Sequence, residues 1–185
     1  MRPTTQALLV ILVLSVLTYL WAPADRNIPD AATAERQRQL PKTYLQEIRS
    51  WVYDDAGQLS EVLDARSAEY FEGIDETMLS EPKLYSHHAD DRTWSASALR
   101  GRMHTDGEIL DLNDNVILLS DQSGGRLETD AMVVELDNKV AIADTPVLII
   151  QGGNTTRADG MIADLEKERL ELKPNVESVY VQQEP

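Results

Sequence analysis

Apolar positions follow two different patterns along the chain, and the boundary between them lies near residue 24. From Ala7 to Trp21 the residues are almost continuously apolar, and no charge occurs between Arg2 and Asp25. The uncharged run Pro3–Ala24 is roughly 33 Å long as a helix at about 1.5 Å per residue, against a bilayer core of about 30 Å. Tyr19 and Trp21 sit at one end, where amphipathic rings favour the headgroup level. The pattern predicts a single transmembrane helix over residues 1–24. The competing reading is a cleaved signal with Ala22-Pro-Ala24 as its small-x-small site, but Tyr19, Leu20 and Trp21 are bulky there and Pro23 lies inside the site. Both readings put the remainder outside the cytoplasm.

Residues 25–43 show no apolar periodicity and read as a linker, with room for a short helix over Ala31–Leu40. From Tyr44 to Pro185 the period changes to two. Trp51-Val-Tyr53, Asp54-Asp-Ala-Gly57 and Leu59–Leu63 read as strand, turn and strand, with Gly57 supplying the positive φ of a tight hairpin. A related pattern recurs about every 30 positions. One copy runs from Trp94–Ala98 to Leu110–Val116 with a turn at Thr105-Asp-Gly107. The next runs from Leu127–Val133 to Val140–Val147, turning at Asp137-Asn138. The last runs from Thr156–Met161 to Leu170–Val176, turning near Lys167-Glu168, and a weaker copy spans Ala65–Tyr70 to Glu81–Leu84. The three stronger copies close on Asn-Val or Pro-Val. Such repeats argue for an all-β stack in which each unit buries its face against neighbours. Ala163–Leu172 consists of good helix formers; the repeat makes it a hairpin.

Charge and composition narrow the function. Lys and Arg number 17 against 32 Asp and Glu, a formal net charge of −15, and no basic patch interrupts it. Nucleic-acid binding is excluded on that balance. Cysteine is absent, which removes disulfides, thiolate metal sites and thiol nucleophiles. The three histidines, His87, His88 and His104, fall in no catalytic or metal-binding spacing. Asp111-x-Asn113-x-Asn115 opens like a calcium loop, but Val116 and Gln122 stand where Gly and Glu are required. Gly152-Gly153 lacks a dinucleotide fingerprint and reads as a sharp strand end. No catalytic residue, metal site or cofactor is expected, and the chain reads as a non-enzyme.

The alternating strands remain. Leu110 and Leu112, Val116 and Leu118, Leu170 and Leu172, and Val176 and Tyr180 each keep one parity, so each pair points to one face. That face is buried by a filled sandwich core or encloses an apolar ligand, and the pattern leaves both open.

Taken in order, several short motifs resemble the LptC family of lipopolysaccharide export. They are Val52-Tyr53 with Gly57, Ala65-x-x-x-Glu69-Tyr70, Pro82, Thr93-Trp94-Ser95-x-x-Ala98, Asn115-Val116, Thr129-Asp130-x-Met132, Gly152 and Gly160-Met161. Leu165, Glu171-Leu172, Val176 and Tyr180 complete the set. The resemblance implies an open β-jellyroll of two antiparallel sheets behind one inner-membrane anchor, with the C-terminal domain in the periplasm. It implies lipopolysaccharide held between the sheets, an ABC transporter whose transmembrane subunits meet the anchor, and transfer to the periplasmic jellyroll bridge protein LptA. Lipid contact would fall on Ile48, Leu79, Leu170 and Tyr180, of which Leu170 and Tyr180 are inward by parity as well; parity alone adds Leu172. Partner contact would fall on Gly152, Val176, Val179 and Val181, with Val176–Val181 expected as a free C-terminal edge strand. The alternative is an anchored β-repeat scaffold that joins envelope proteins without binding lipid.

Overall fold

The computed structural model describes residues 40–71, 73–88, 91–104, 108–167 and 169–181, and the apolar run at Ala7–Trp21 lies outside them. Among the described residues no helix is long and apolar enough to cross a membrane. They form fourteen antiparallel strands: β1 (Thr43–Tyr53), β2 (Leu59–Phe71), β3 (Glu76–Ser80), β4 (Lys83–His88), β5 (Asp91–Ser97), β6 (Arg100–His104) and β7 (Ile109–Ser120), followed by β8 (Arg126–Glu135), β9 (Val140–Ala143), β10 (Val147–Gln151), β11 (Asn154–Ala158), β12 (Met161–Asp164), β13 (Arg169–Leu172) and β14 (Glu177–Val179).

One hydrogen-bonded network joins all fourteen, and its long strands change partners half-way. β2 pairs with β4 through Glu61–Asp64 and with β3 through Ser67–Phe71. β7 pairs with β6 through Leu110–Asn113 and with β5 through Ile117–Ser120. β8 pairs with β10 through Arg126–Glu128 and with β9 through Val133–Glu135. The network therefore resolves into two arms that share β2, β7 and β8. The first arm holds β4, β5, β10, β11 and β14; the second holds β3, β6, β9, β12 and β13. β1 runs along β2 at the edge of both.

The fold line between the arms is written in the backbone. On β7 a bulge separates Asn113 from Val116, where Asp114 and Asn115 take φ of 64° and 55°. Both side chains tolerate the left-handed region better than most, and a bulge bends its strand and strengthens its twist. Leu99 N–H donates to Asp114 O at 2.9 Å, Glu81 N–H donates to Leu99 O at 2.9 Å, and Arg100 pairs with Asp114. Across the same line the buried Thr129 Oγ1 lies 2.7 Å from Thr145 Oγ1 and 3.0 Å from Pro146 O.

Both arms bury their inner faces in one cluster. Leu84, Ala96, Leu118, Leu127, Val147 and Ala158 come from the first arm, and Leu79, Leu112, Met132, Val134, Ala141 and Met161 from the second. At Gly160 an added Cβ would lie 2.4 Å from the Ala143 carbonyl oxygen, so only glycine lets β12 enter beside β9.

The hairpin reading of Ala163–Leu172 holds. β12 and β13 pair from Met161↔Leu172 to Asp164↔Arg169. Asp164 closes the turn, accepting from Lys167 N–H at 2.9 Å and from its Nζ at 2.8 Å. Tertiary pairing overrides the helix propensity of this stretch. The expected C-terminal strand Val176–Val181 is corrected to Glu177–Val179. Asn175 ahead of it sits at φ 62°, and the ladder to β11 stops at Thr155↔Val179. The Val181 N–H donates to the Asn154 side chain instead, at 2.9 Å.

Candidate functional site

Register decides which side chains face between the arms. On β13, Leu170 stands opposite Ala163 and Leu172 opposite Met161, and both partners are buried. On the first arm, Leu127 faces Ile149 and Ile149 faces Thr156. Between these walls lies a cavity of about 310 Å³. Trp94, Leu118, Leu127 and Ile149 supply its wall from the first arm, and Ala163, Leu165 and Leu170 supply the wall from the second. Ser120, Ser123 and Gln151 form polar parts of its lining. The remaining interior is filled: Leu110, Leu112, Val116, Met132, Val134 and Met161 are fully buried. The apolar walls and polar margin suit a ligand with an apolar body and a polar end.

The expected lipid-contacting residues do not form one group. Leu170 lines the cavity and remains 42% exposed, while Leu172 is half-buried against the core. Leu79 is buried in the core, opposite Ala68 and Gly101. Ile48 on β1 stands opposite Ala65 and packs on the core from outside the cavity. Tyr180 shares the inward parity of Ser178, which faces Thr156, but lies past the end of β14 and is 75% exposed. Trp94, Leu165 and Ile149 are cavity residues that parity did not single out. Ile149 sits in Val147-Leu-Ile-Ile150, where apolar residues occupy both faces and alternation gives no direction.

The expected partner-contacting residues gather at the first arm's outer edge. Gly152, at φ 55°, makes the turn from β10 to β11. Val179 ends β14, which among the described residues pairs only with β11, and Val176 and Val181 flank it, all three exposed. Among the described residues no cluster of metal ligands occurs.

Residues 7–181 match the family described as "LptC: Lipopolysaccharide-assembly, LptC-related". The chain belongs to the LptC family. Among solved structures it is similar to LptH from Pseudomonas aeruginosa, described as the LptA-homologous periplasmic component of the conserved lipopolysaccharide transport device. That match covers 66% of this chain and 95% of the other, at 11% identity and a TM-score of 0.53. It shows a common fold, the LptA-type β-jellyroll. No curated protein matches the sequence.

Proposed function

We propose that this LptC-family chain binds lipopolysaccharide between its arms and links an inner-membrane ABC transporter to the periplasmic jellyroll bridge, with LptA as the next component. In this reading residues 1–24 anchor the chain in the inner membrane as a single pass, and residues 25–43 carry the β-domain into the periplasm. The observation that carries the reading is Leu170, an apolar side chain turned inward and left accessible beside a cavity with walls from both arms. Apolar contact there is worth about 25 cal/mol per Å² removed from water. Acyl chains occupy the apolar depth, and the lipid's polar portion stays at the Ser120, Ser123 and Gln151 margin. At about 310 Å³ the cavity is at the small end of ligand sites, which run from about 300 to 1,000 Å³, so a lipid with several chains requires the arms to part further.

The test is lipopolysaccharide capture by Leu170→Glu beside Glu171→Gln, with melting curves for both. A carboxylate at Leu170 has no partner for its charge once lipid covers it, so capture falls while Glu171→Gln, turned outward, retains it. Because Leu170 is already partly exposed, both variants stay folded. Normal capture by folded Leu170→Glu would favour the scaffold that joins envelope proteins without lipid.

A further inference from the structure

The cations around the cavity are few, and carboxylates accompany all of them. Among the described residues, those on its wall and on the turns that close it are Arg126, Lys139, Lys167 and Arg169. Arg126 Nε lies 2.6 Å from Glu128, Arg169 Nη2 lies 2.7 Å from Glu171, and Lys167 Nζ lies 2.8 Å from Asp164. Lys139 shares the β8–β9 turn with Asp137. That turn adjoins the cavity, since the Lys139 carbonyl accepts from the Leu165 N–H at 2.8 Å and Leu165 lines the wall. Asp121, Asp137 and Glu166 are exposed on the β7–β8, β8–β9 and β12–β13 turns. Glu61 adds a carboxylate in the row Glu61↔Ser86, Ser86↔Trp94, Trp94↔Ser120, whose last two residues line the cavity. The polar margin itself, Ser120, Ser123 and Gln151, is neutral.

We infer that the site selects against phosphate: it takes an amphiphile by its apolar chains, and each phosphate on the headgroup weakens capture. The inference rests on the lipid reading above and narrows the headgroup that the site favours. A phosphate monoester carries about −1.5 to −2 charge at pH 7. On approach it meets the field of a chain whose formal net charge is −15. Drawing Arg126 or Arg169 away from its glutamate offers no escape, because the released carboxylate would then stand beside the phosphate. Salt separates this repulsion from apolar burial. Charges are felt over about 30 Å at about 0.01 M ionic strength and over about 3 Å at about 1 M. Capture of a phosphorylated lipid therefore strengthens as salt rises, the reverse of what a cationic phosphate site would show.

The experiment uses the full chain in nonionic detergent micelles, with a photoreactive residue in place of Leu170. It is titrated with the lipid anchor of lipopolysaccharide carrying either two phosphates or none. The quantity read is the ratio of the two half-saturating concentrations, which cancels the effect of salt on the apolar burial common to both lipids. At about 0.01 M salt the unphosphorylated lipid should half-saturate at a several-fold lower concentration, and the ratio should approach one at about 1 M. Asp137→Asn combined with Glu166→Gln, both exposed turn positions, should narrow the ratio at low salt, and Lys139→Gln should widen it. A ratio of one at low salt, a preference for the phosphorylated lipid, or a ratio that none of these variants moves would overturn the inference and leave the lipid reading standing. Absence of labelling by either lipid at any salt concentration would overturn both.

Discussion

Leu170 and Ala163 stand opposite each other across the β12–β13 pair, yet Ala163 is 5% exposed and Leu170 is 42% exposed. They point to the same face, so direction does not explain the difference. Ala163 has a strand on either side, β9 and β13, whereas Leu170 is on the last strand of its arm. The interior is thus packed toward β7 and β9 and accessible under β13. That gradient, filled at one side and open at the other, is what distinguishes this β-domain from an ordinary sandwich.

The free edge gives one prediction. Backbone N–H groups alternate in direction along a strand. With the Val181 N–H turned toward Asn154, Val179 takes the same side, and Ser178 and Tyr180 present theirs to the free edge. Tyr180→Pro removes one such donor without touching the ladder to β11. Addition of a partner strand at this edge should weaken by about 1 kcal/mol, about fivefold, measured as affinity for the periplasmic bridge protein. Unchanged affinity would move the docking edge elsewhere.

Gly160 gives a second. An alanine there would bring Cβ within 2.4 Å of the Ala143 carbonyl and within 2.9 Å of Lys173 Cδ. The side chain of Lys173 can move, but the backbone of β9 cannot. Gly160→Ala should destabilise the domain by about 1–3 kcal/mol and lower Tm by roughly 3–10 °C. Thermal unfolding followed by circular dichroism reads this directly.

The β1–β2 pair gives a pH prediction. Arg49 grips Asp64 with both prongs, Nε–Oδ1 at 2.6 Å and Nη2–Oδ2 at 2.7 Å. That hydrogen bonding holds the Asp64 carboxyl below its usual range, against the opposing effect of its partial burial. A carboxylate with a lowered folded-state pKa stabilises above its unfolded value, near about 3.9, and loses that contribution as pH falls through the folded value. Arg49→Met should therefore melt lower than the unaltered chain at neutral pH, and the two curves should converge in acid. Parallel curves down to acid pH would show that the pair contributes nothing.

Much of this was legible in the sequence, and the failures have physical causes. Period-two alternation gave the all-β class, and the repeat correctly favoured a hairpin over Ala163–Leu172 against local helix propensity. The repeat's closing dipeptides carried a different meaning from the one expected. Asn115-Val116 and Pro146-Val147 do not end independent hairpins. They lie where the chain crosses the fold line, and both valines are buried there. A stack of units was the natural reading, because nothing local shows β2, β7 and β8 exchanging partners half-way. Parity placed Leu170 and Leu172 on the inner face, and the resemblance added Leu79, but neither separated the accessible Leu170 from the core residue Leu79. That distinction depends on which strand ends the sheet.

The central claim is that lipid occupies the space between the arms beneath β13. The most direct measurement places a photoreactive residue at Leu170 or at Glu171, adjacent positions on one strand that face opposite ways, and irradiates the chain in membranes containing lipopolysaccharide. Lipopolysaccharide should crosslink at position 170 and leave position 171 unlabelled. Equal labelling at the two positions, or labelling at 171 alone, would contradict the account.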